Sequence, residues 1–243
     1  MSESWIERSK GADLDQLVRE LASRTHGNKR RSLRLAAWKF TVQASYAIKR
    51  TMDIAVSGSA MLLLSPLFVA IALAVKLSSR GPAIFSQTRV GRYGRHFRFY
   101  KFRSMVQDAE SLKDGLQGMN ESADGVIFKM KADPRITKVG RFLRRTSLDE
   151  LPQLWNVFIG DMSLVGPRPP VPSEVEKYTL EDRKRLDVIP GITCLWQING
   201  RSEIPFNEQV RLDKEYILAQ GIWKDFLILL KTIPAIIGGR GAY

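Results

Sequence analysis

The residues best suited to chemistry lie in one run, Gly140 to Pro170, GRFLRRTSLDELPQLWNVFIGDMSLVGPRPP. Arg141, Arg144 and Arg145 precede the adjacent acids Asp149 and Glu150, and Arg168 follows them between two prolines that stiffen its backbone. Arginine forks bind phosphate oxygens. A carboxylate is ionised at pH 7 without a base, so it can hold Mg²⁺ or attack phosphorus directly. Together these residues suit a site for a diphosphate. Pro152 is tolerated only in a first helical turn, which predicts a helix from near Asp149 to Gly160 with both acids at its N-terminus, where backbone N–H groups also favour anions. A structural reading competes, because Ser147-x-x-Glu150 matches a capping box and the helix dipole stabilises acids in a first turn. No Walker-type glycine loop is present and no histidine lies in the block, which argues against P-loop hydrolysis and histidine phosphoryl relay.

The elements that must position this block begin upstream. AIFSQTRVGRYGRHFRFYKFRSM, after the break at Gly81-Pro82, alternates in the manner of strands around a glycine-containing turn and predicts a hairpin leading to Lys101. Residues 113–133, with four acids, three glycines and Asn120, read as a loop. Before the hairpin runs an uncharged stretch of 22 residues, Ile54 to Val75, which is of membrane length and lacks the polar stripe of a soluble core helix. Both flanks are basic: Lys29 to Arg50 on one side, Lys76 to Arg103 on the other, with no acid after Lys76 until Asp108. Lys and Arg collect on the cytoplasmic side of a span, so a straight crossing would strand one cluster outside. Ser65-Pro66 lies at the midpoint, where proline deletes a helical hydrogen bond and kinks the helix. Two halves of about 11 residues reach about 16 Å deep, about half the hydrocarbon core. That geometry predicts a re-entrant hairpin, with a kinked full crossing as the alternative. Leu33 to Asp53, with Trp38, Phe40 and Tyr46 among basic residues, suits a helix approaching anionic headgroups, and Ile217 to Ile237, interrupted by Lys224, Asp225, Lys231 and Pro234, suits an interfacial helix. A packed amphipathic core helix competes in each case.

Composition sets the outer bounds. A chain of 243 residues, 44% hydrophobic and 26% charged, is long enough for a folded core, and a mean hydropathy of −0.17 excludes a polytopic transporter. The net charge of +13 calls for a polyanionic partner without choosing among nucleic acid, anionic membrane and phosphorylated substrate. The lone Cys194 and the two histidines, His26 and His96, exclude an internal disulfide and a histidine-rich zinc site.

These residues resemble the bacterial sugar transferase family, the monotopic phosphoglycosyl transferases acting on polyprenyl phosphate, over roughly residues 45–243. The resemblance rests on Ser65-Pro66, on Lys101-Phe102-Arg103-Ser104-Met105, on Arg144 through Leu154, on Gly160 through Pro169, and on Pro190-Gly191-Ile192-Thr193. Trp196-Gln197 and Asn199-Gly200-Arg201 also match, though they could equally form a structural turn, and the tail Gly239 to Tyr243 resembles the natural end of exopolysaccharide-initiating members. Cys194 departs from the glycine of many members, and a polar extension stands where larger members carry a multi-span module.

The resemblance implies transfer of hexose 1-phosphate from a UDP-hexose to undecaprenyl phosphate, with release of UMP, as the initiating step of exopolysaccharide or capsule synthesis. Asp149 would be the nucleophile and a Mg²⁺ ligand, with Glu150 assisting. Lys101, Arg144 and Arg168 would bind substrate phosphate, and Ser65 and Pro66 would break the membrane helix. The implied fold is α+β, mainly helical. It comprises a polar extension over 1–32, a membrane re-entrant helix-break-helix over 33–80, and a small cytosolic catalytic domain with C-terminal interfacial helices over 81–243. Expected partners are the two substrates and inner-membrane lipid at the cytoplasmic face, with no nucleic acid and with room for a homodimer. A non-enzymatic, membrane-bound polyanion-binding protein is the alternative, and it leaves Asp149-Glu150 unexplained.

Overall fold

The computed structural model describes residues 29–112, 114–121, 126, 127, 130 and 132–238. The expectations for residues 1–28 and for the tail 239–243 lie outside them. The chain divides between Met52 and Asp53 into two compact units.

The first described element, α1 (Lys29–Leu63), runs 35 residues without a proline. Inside it the hydroxyls of Thr41, Thr51 and Ser57 bond back to the carbonyls of Ala37, Ala47 and Asp53, which satisfies them without water. The stretch before Met52 exposes Trp38, Phe40 and Tyr46. After Leu64 comes α2 (Ser65–Ser78), with proline in its first turn, and the two helices meet at 63°. The expected break is therefore present. It falls one residue before Ser65, because Pro66 fits a helix start and not a helix interior. No single helix among the described residues is long and apolar enough to cross a membrane.

The second unit, from Asp53 onward, carries the hairpin. Strand β1 (Ile84–Val90) pairs antiparallel with β2 (His96–Phe102), Phe85 opposite Lys101 and Arg89 opposite Phe97, as the alternation predicts. Period two points Lys101 to one face and Phe102 to the other, where Phe102 packs with Ile71 and Val75 of α2 and Leu143. Helix α3 (Lys138–Arg145) starts at Thr137, whose hydroxyl accepts the Gly140 N–H at 2.9 Å. A single-turn 3₁₀ helix, Leu148–Glu150, leads to α4 (Gln153–Ile159) and β3 (Ser163–Val165). The short α5 (Pro172–Val175) precedes β4 (Gly191–Thr193), which lies parallel to β3. Three helices close the chain: α6 (Leu195–Asn199), α7 (Phe206–Leu218) and α8 (Ile222–Gly238). Among the described residues the architecture is thus mainly helical α+β with two two-stranded sheets.

One core gathers Phe99, Val157, Met162, Val165, Tyr216 and Ile228, locking β2, α4, β3, α7 and α8 together. The buried carboxylate of Asp53 accepts the Leu164 N–H at 3.0 Å, which fastens the end of α1 within this unit to β3. Arg103, buried just beyond β2, donates to the carbonyls of Ser79 and Pro82 and so ties the strand bearing Lys101 to the end of α2. Orphan carbonyls at a helix C-terminus are what a buried guanidinium can satisfy.

Candidate active site

The acids sit differently from the helix-start reading. Asp149 and Glu150 lie on the 3₁₀ turn, Pro152 caps α4, and the helix itself begins at Gln153. Ser147 is left-handed (φ 56°) and makes no side-chain cap bond. A capping serine needs extended backbone to aim its hydroxyl at the following N–H groups, so the capping box is not formed. The acids are therefore not explained by helix capping.

Three elements converge on this turn. From β2, the Lys101 Nζ donates to Glu150 Oε1 at 2.9 Å and lies 3.7 Å from Asp149 Oδ2. From the loop after β3, Arg168 Nη2 donates to the same Glu150 oxygen at 3.0 Å. From α3, Arg144 Nε donates to Ser104 Oγ at 3.0 Å. Two glycines make these approaches possible. A β-carbon at Gly140 would lie 1.9 Å from the Ser104 carbonyl oxygen, so only glycine lets α3 press against the strand end and deliver Arg144. A β-carbon at Gly191 would lie 2.0 Å from the Gly166 nitrogen, so the same holds where β4 approaches the segment leading into Pro167-Arg168.

The electrostatics separate the two acids. Burial raises the Glu150 carboxyl, but Lys101 and Arg168 more than offset this and hold it far below the usual carboxylate range. Burial pushes Asp149 above its ordinary value against the pull of Lys101, and the charge on Glu150 adds to the rise. Burial also lowers the Lys101 ammonium from its ordinary value. Glu150 thus holds the cations, and Asp149, with its side chain only 6% exposed, has no cation closer than 3.7 Å among the described residues. Neighbouring groups pushed apart in this way mark a division of labour.

Two clefts meet here. A cavity of about 410 Å³ contains Asp149 and Glu150 and extends along Thr232, Ala235 and Ile236 of α8. A larger one, about 650 Å³, runs over the β1–β2 face, from Gln87 and Phe99 to Ser173, Tyr178 and Arg185. Arg89, Lys101, Arg144 and Arg168 line both. The structure brings together all five polar site residues expected from the sequence; Ser65 and Pro66 lie apart, at the helix break. It adds Arg89, which donates to the Pro169 carbonyl at 2.9 Å and lies 5.1 Å from the Phe99 ring centroid, and Arg201, on the smaller cleft. Strand alternation from Lys101 could have pointed to Arg89, and the Asn-Gly-Arg turn to Arg201.

Residues 44–239 match the family model described as bacterial sugar transferase. A galactosyl transferase of Streptococcus agalactiae serotype III is 51% identical over 206 residues, spanning 84% of this chain and 45% of that protein. The undecaprenyl-phosphate galactose phosphotransferase of Salmonella typhimurium is 44% identical over 204 residues, 83% of this chain and 43% of that protein. An exopolysaccharide production protein of Rhizobium meliloti is 39% identical over 198 residues, 80% of this chain and 88% of its own length. The chain therefore spans less than half the length of the first two relatives and most of the third.

Proposed function

The chain belongs to the bacterial sugar transferase family, and from that premise we propose that it transfers hexose 1-phosphate from a UDP-hexose to undecaprenyl phosphate, releasing UMP. The observation that carries this reading is a pair of buried adjacent carboxylates, Glu150 hydrogen-bonded to two cations and Asp149 standing 3.7 Å from Lys101, at the junction of two clefts that share four basic residues.

In the first step an Asp149 oxygen attacks the sugar-linked phosphorus. The bond from that phosphorus to the bridging oxygen breaks, UMP departs with the electron pair, and an aspartyl phosphosugar remains. In the second step an oxygen of the lipid phosphate attacks the same phosphorus, and the Asp149 carboxylate leaves intact. Lys101, Arg168 and Arg144 meet the charge that builds on the phosphoryl oxygens, and Glu150 keeps Lys101 and Arg168 in place before substrate arrives. A polyanion-binding surface would gain nothing from burying two carboxylates among its cations.

No three acidic, histidine or cysteine residues cluster to hold a metal among the described residues. One or two carboxylates completed by substrate phosphate and water nevertheless make an ordinary Mg²⁺ site, and Asp149 beside Glu150 fits it. Mg²⁺ held there by Asp149 would supply neutralisation of the diphosphate.

Exposed apolar surface supports a location at the membrane. Leu62, Leu63, Val69 and Leu77 around the helix break, and Trp223, Phe226, Leu230 and Ile233 on α8, are poorly suited to water. With basic flanks on both sides of the break, this surface supports a re-entrant hairpin at the cytoplasmic face of the inner membrane, and the reaction would start an exopolysaccharide or capsule chain.

UMP release from a panel of UDP-hexoses with undecaprenyl phosphate tests the reading. Mass spectrometry after incubation with donor alone should find hexose phosphate on the peptide containing Asp149. Absence of UMP with every donor, or an adduct on Glu150, would overturn it.

A further inference from the structure

The smaller cleft contains a cation that the chemistry above does not use. Arg201 follows Gly200 (φ 156°) and is itself left-handed at φ 52°, one of three non-glycine residues with positive φ among those described. Such a backbone is strained in a non-glycine residue and persists where the surroundings enforce it. Here the strain places a guanidinium on the wall of the cleft that holds Asp149 and Glu150. Arg201 does not line the larger cleft. Its charge is felt with Glu150, Arg168 and Asp149, and partial burial lowers its pKa from the ordinary arginine value.

Two further features bear on what this cleft binds. Trp196, 7% exposed, lines both clefts where they meet, and its indole N–H has no hydrogen-bond partner among the described residues. A buried donor left unpaired at a cleft is suited to a ligand oxygen. Beyond it the wall turns apolar: Leu151, Leu154 and Ile192 face Ala235 and Ile236 of α8. The hydroxyls of Thr193 and Thr232, 2.8 Å apart, hold that helix against β4. Polar groups at one end and an apolar trough along an exposed, largely apolar helix suit a phosphate monoester on a long hydrocarbon chain. The larger cleft, about 650 Å³ and lined by Gln87, Asn120 and Ser173 besides the shared cations, has room for a nucleotide sugar.

We propose that Arg201 grips the phosphate of the lipid acceptor, so that the smaller cleft takes polyprenyl phosphate while the larger takes the donor. This assignment rests on the transfer reaction proposed above. Arg201 then orients the attacking oxygen of the second step, in which one phosphorus–oxygen bond forms to the lipid, the bond to Asp149 breaks, and no proton need move when the lipid phosphate enters as a dianion.

The test uses the full chain in mixed micelles and the variants Arg201→Asn and Arg201→Lys. Asparagine tolerates left-handed backbone, so the first removes charge while keeping the turn. Loss of one charge-assisted contact predicts a rise in KM for undecaprenyl phosphate of about 10- to 100-fold in the Asn variant. KM for the UDP-hexose and the burst of UMP without lipid should stay within about twofold, and lysine should restore part of the loss. An equal loss in the burst or in the donor KM, or unchanged lipid kinetics, would overturn the assignment. Binding of undecaprenyl phosphate against undecaprenol, followed by tryptophan fluorescence, separates this failure from failure of the reaction itself. Arg201-dependent preference for the phosphate in a chain that releases no UMP would sustain the acceptor site and sink the donor chemistry. Normal turnover with no Arg201 effect on the lipid would do the reverse.

Discussion

Asp149-Glu150 and Arg185–Asp213 are both buried clusters of opposite charge, yet they are built to opposite ends. Arg185 and Asp213, with side chains 4% and 1% exposed, form a one-to-one pair closed over by Tyr178, whose hydroxyl accepts from Arg185 at 3.0 Å, and by Phe206. At the candidate site two acids face Lys101 and Arg168, which stay 18% and 24% exposed on an open cleft, with Arg144 alongside. A one-to-one pair matches charge with charge and serves the scaffold. An unbalanced, partly open cluster leaves cations free to meet a substrate's charge.

The comparison breaks most sharply at Asp149. Asp149→Asn should lower turnover by about 10³-fold or more, as loss of a nucleophile does, in a UMP-release assay. Its stability should be equal or higher. The folded-state pKa of Asp149 is raised, so its contribution to stability is fully present below the unfolded value and is lost as pH rises through the folded one. At neutral pH the buried charge is a cost that asparagine removes, and a thermal melt at pH 7 checks this. A fall of several degrees in Tm would place Asp149 with the scaffold pairs.

Asp213→Ala is the converse. Stranding Arg185 should destabilise the fold by about 3–5 kcal/mol, measured by urea unfolding, because an unpaired buried charge is left behind. Activity per folded molecule should change much less than in Asp149→Asn.

Lys101→Met sharpens the electrostatics. The wild-type pH–rate profile should have an acid limb above the ordinary Asp range, where Asp149 must lose its proton, and a basic limb below the ordinary lysine value. Without Lys101, Asp149 loses its largest lowering partner. The acid limb should move up, the basic limb should vanish, and kcat should fall by about 10²-fold.

Pro66→Leu should have the smallest effect. It allows a straighter helix across the 63° bend without touching the site. Cysteines placed near residues 45 and 80 should label from one side in the parent, and a fraction of the variant should label from opposite sides. Opposite-side labelling in the parent would replace re-entry with a full crossing.

The local features were legible before any coordinates. Alternation predicted the hairpin and pointed to Lys101 beside its end, Ser65-Pro66 predicted the break, and the ordered motifs predicted the family and singled out five polar residues that the fold brings together. These signals live within a few residues of one another, where backbone sterics and periodicity act directly. The start of α4 was placed too early, and the competing capping box is not formed, because Ser147 adopts left-handed backbone, which the composition of the motif does not reveal. Arg89 and Arg201 carried only weak signals, strand alternation for the first and the Asn-Gly-Arg turn for the second. Their roles depend on which strand face and which cleft wall they occupy. What the sequence determined by itself was the inventory of charges, the break and the family. Only the tertiary structure decided that Glu150 takes the close contacts of Lys101 and Arg168 while Asp149 stands 3.7 Å from Lys101, because that division depends on distances between β2, the 3₁₀ turn and the loop after β3, set by close approaches at Gly140 and Gly191.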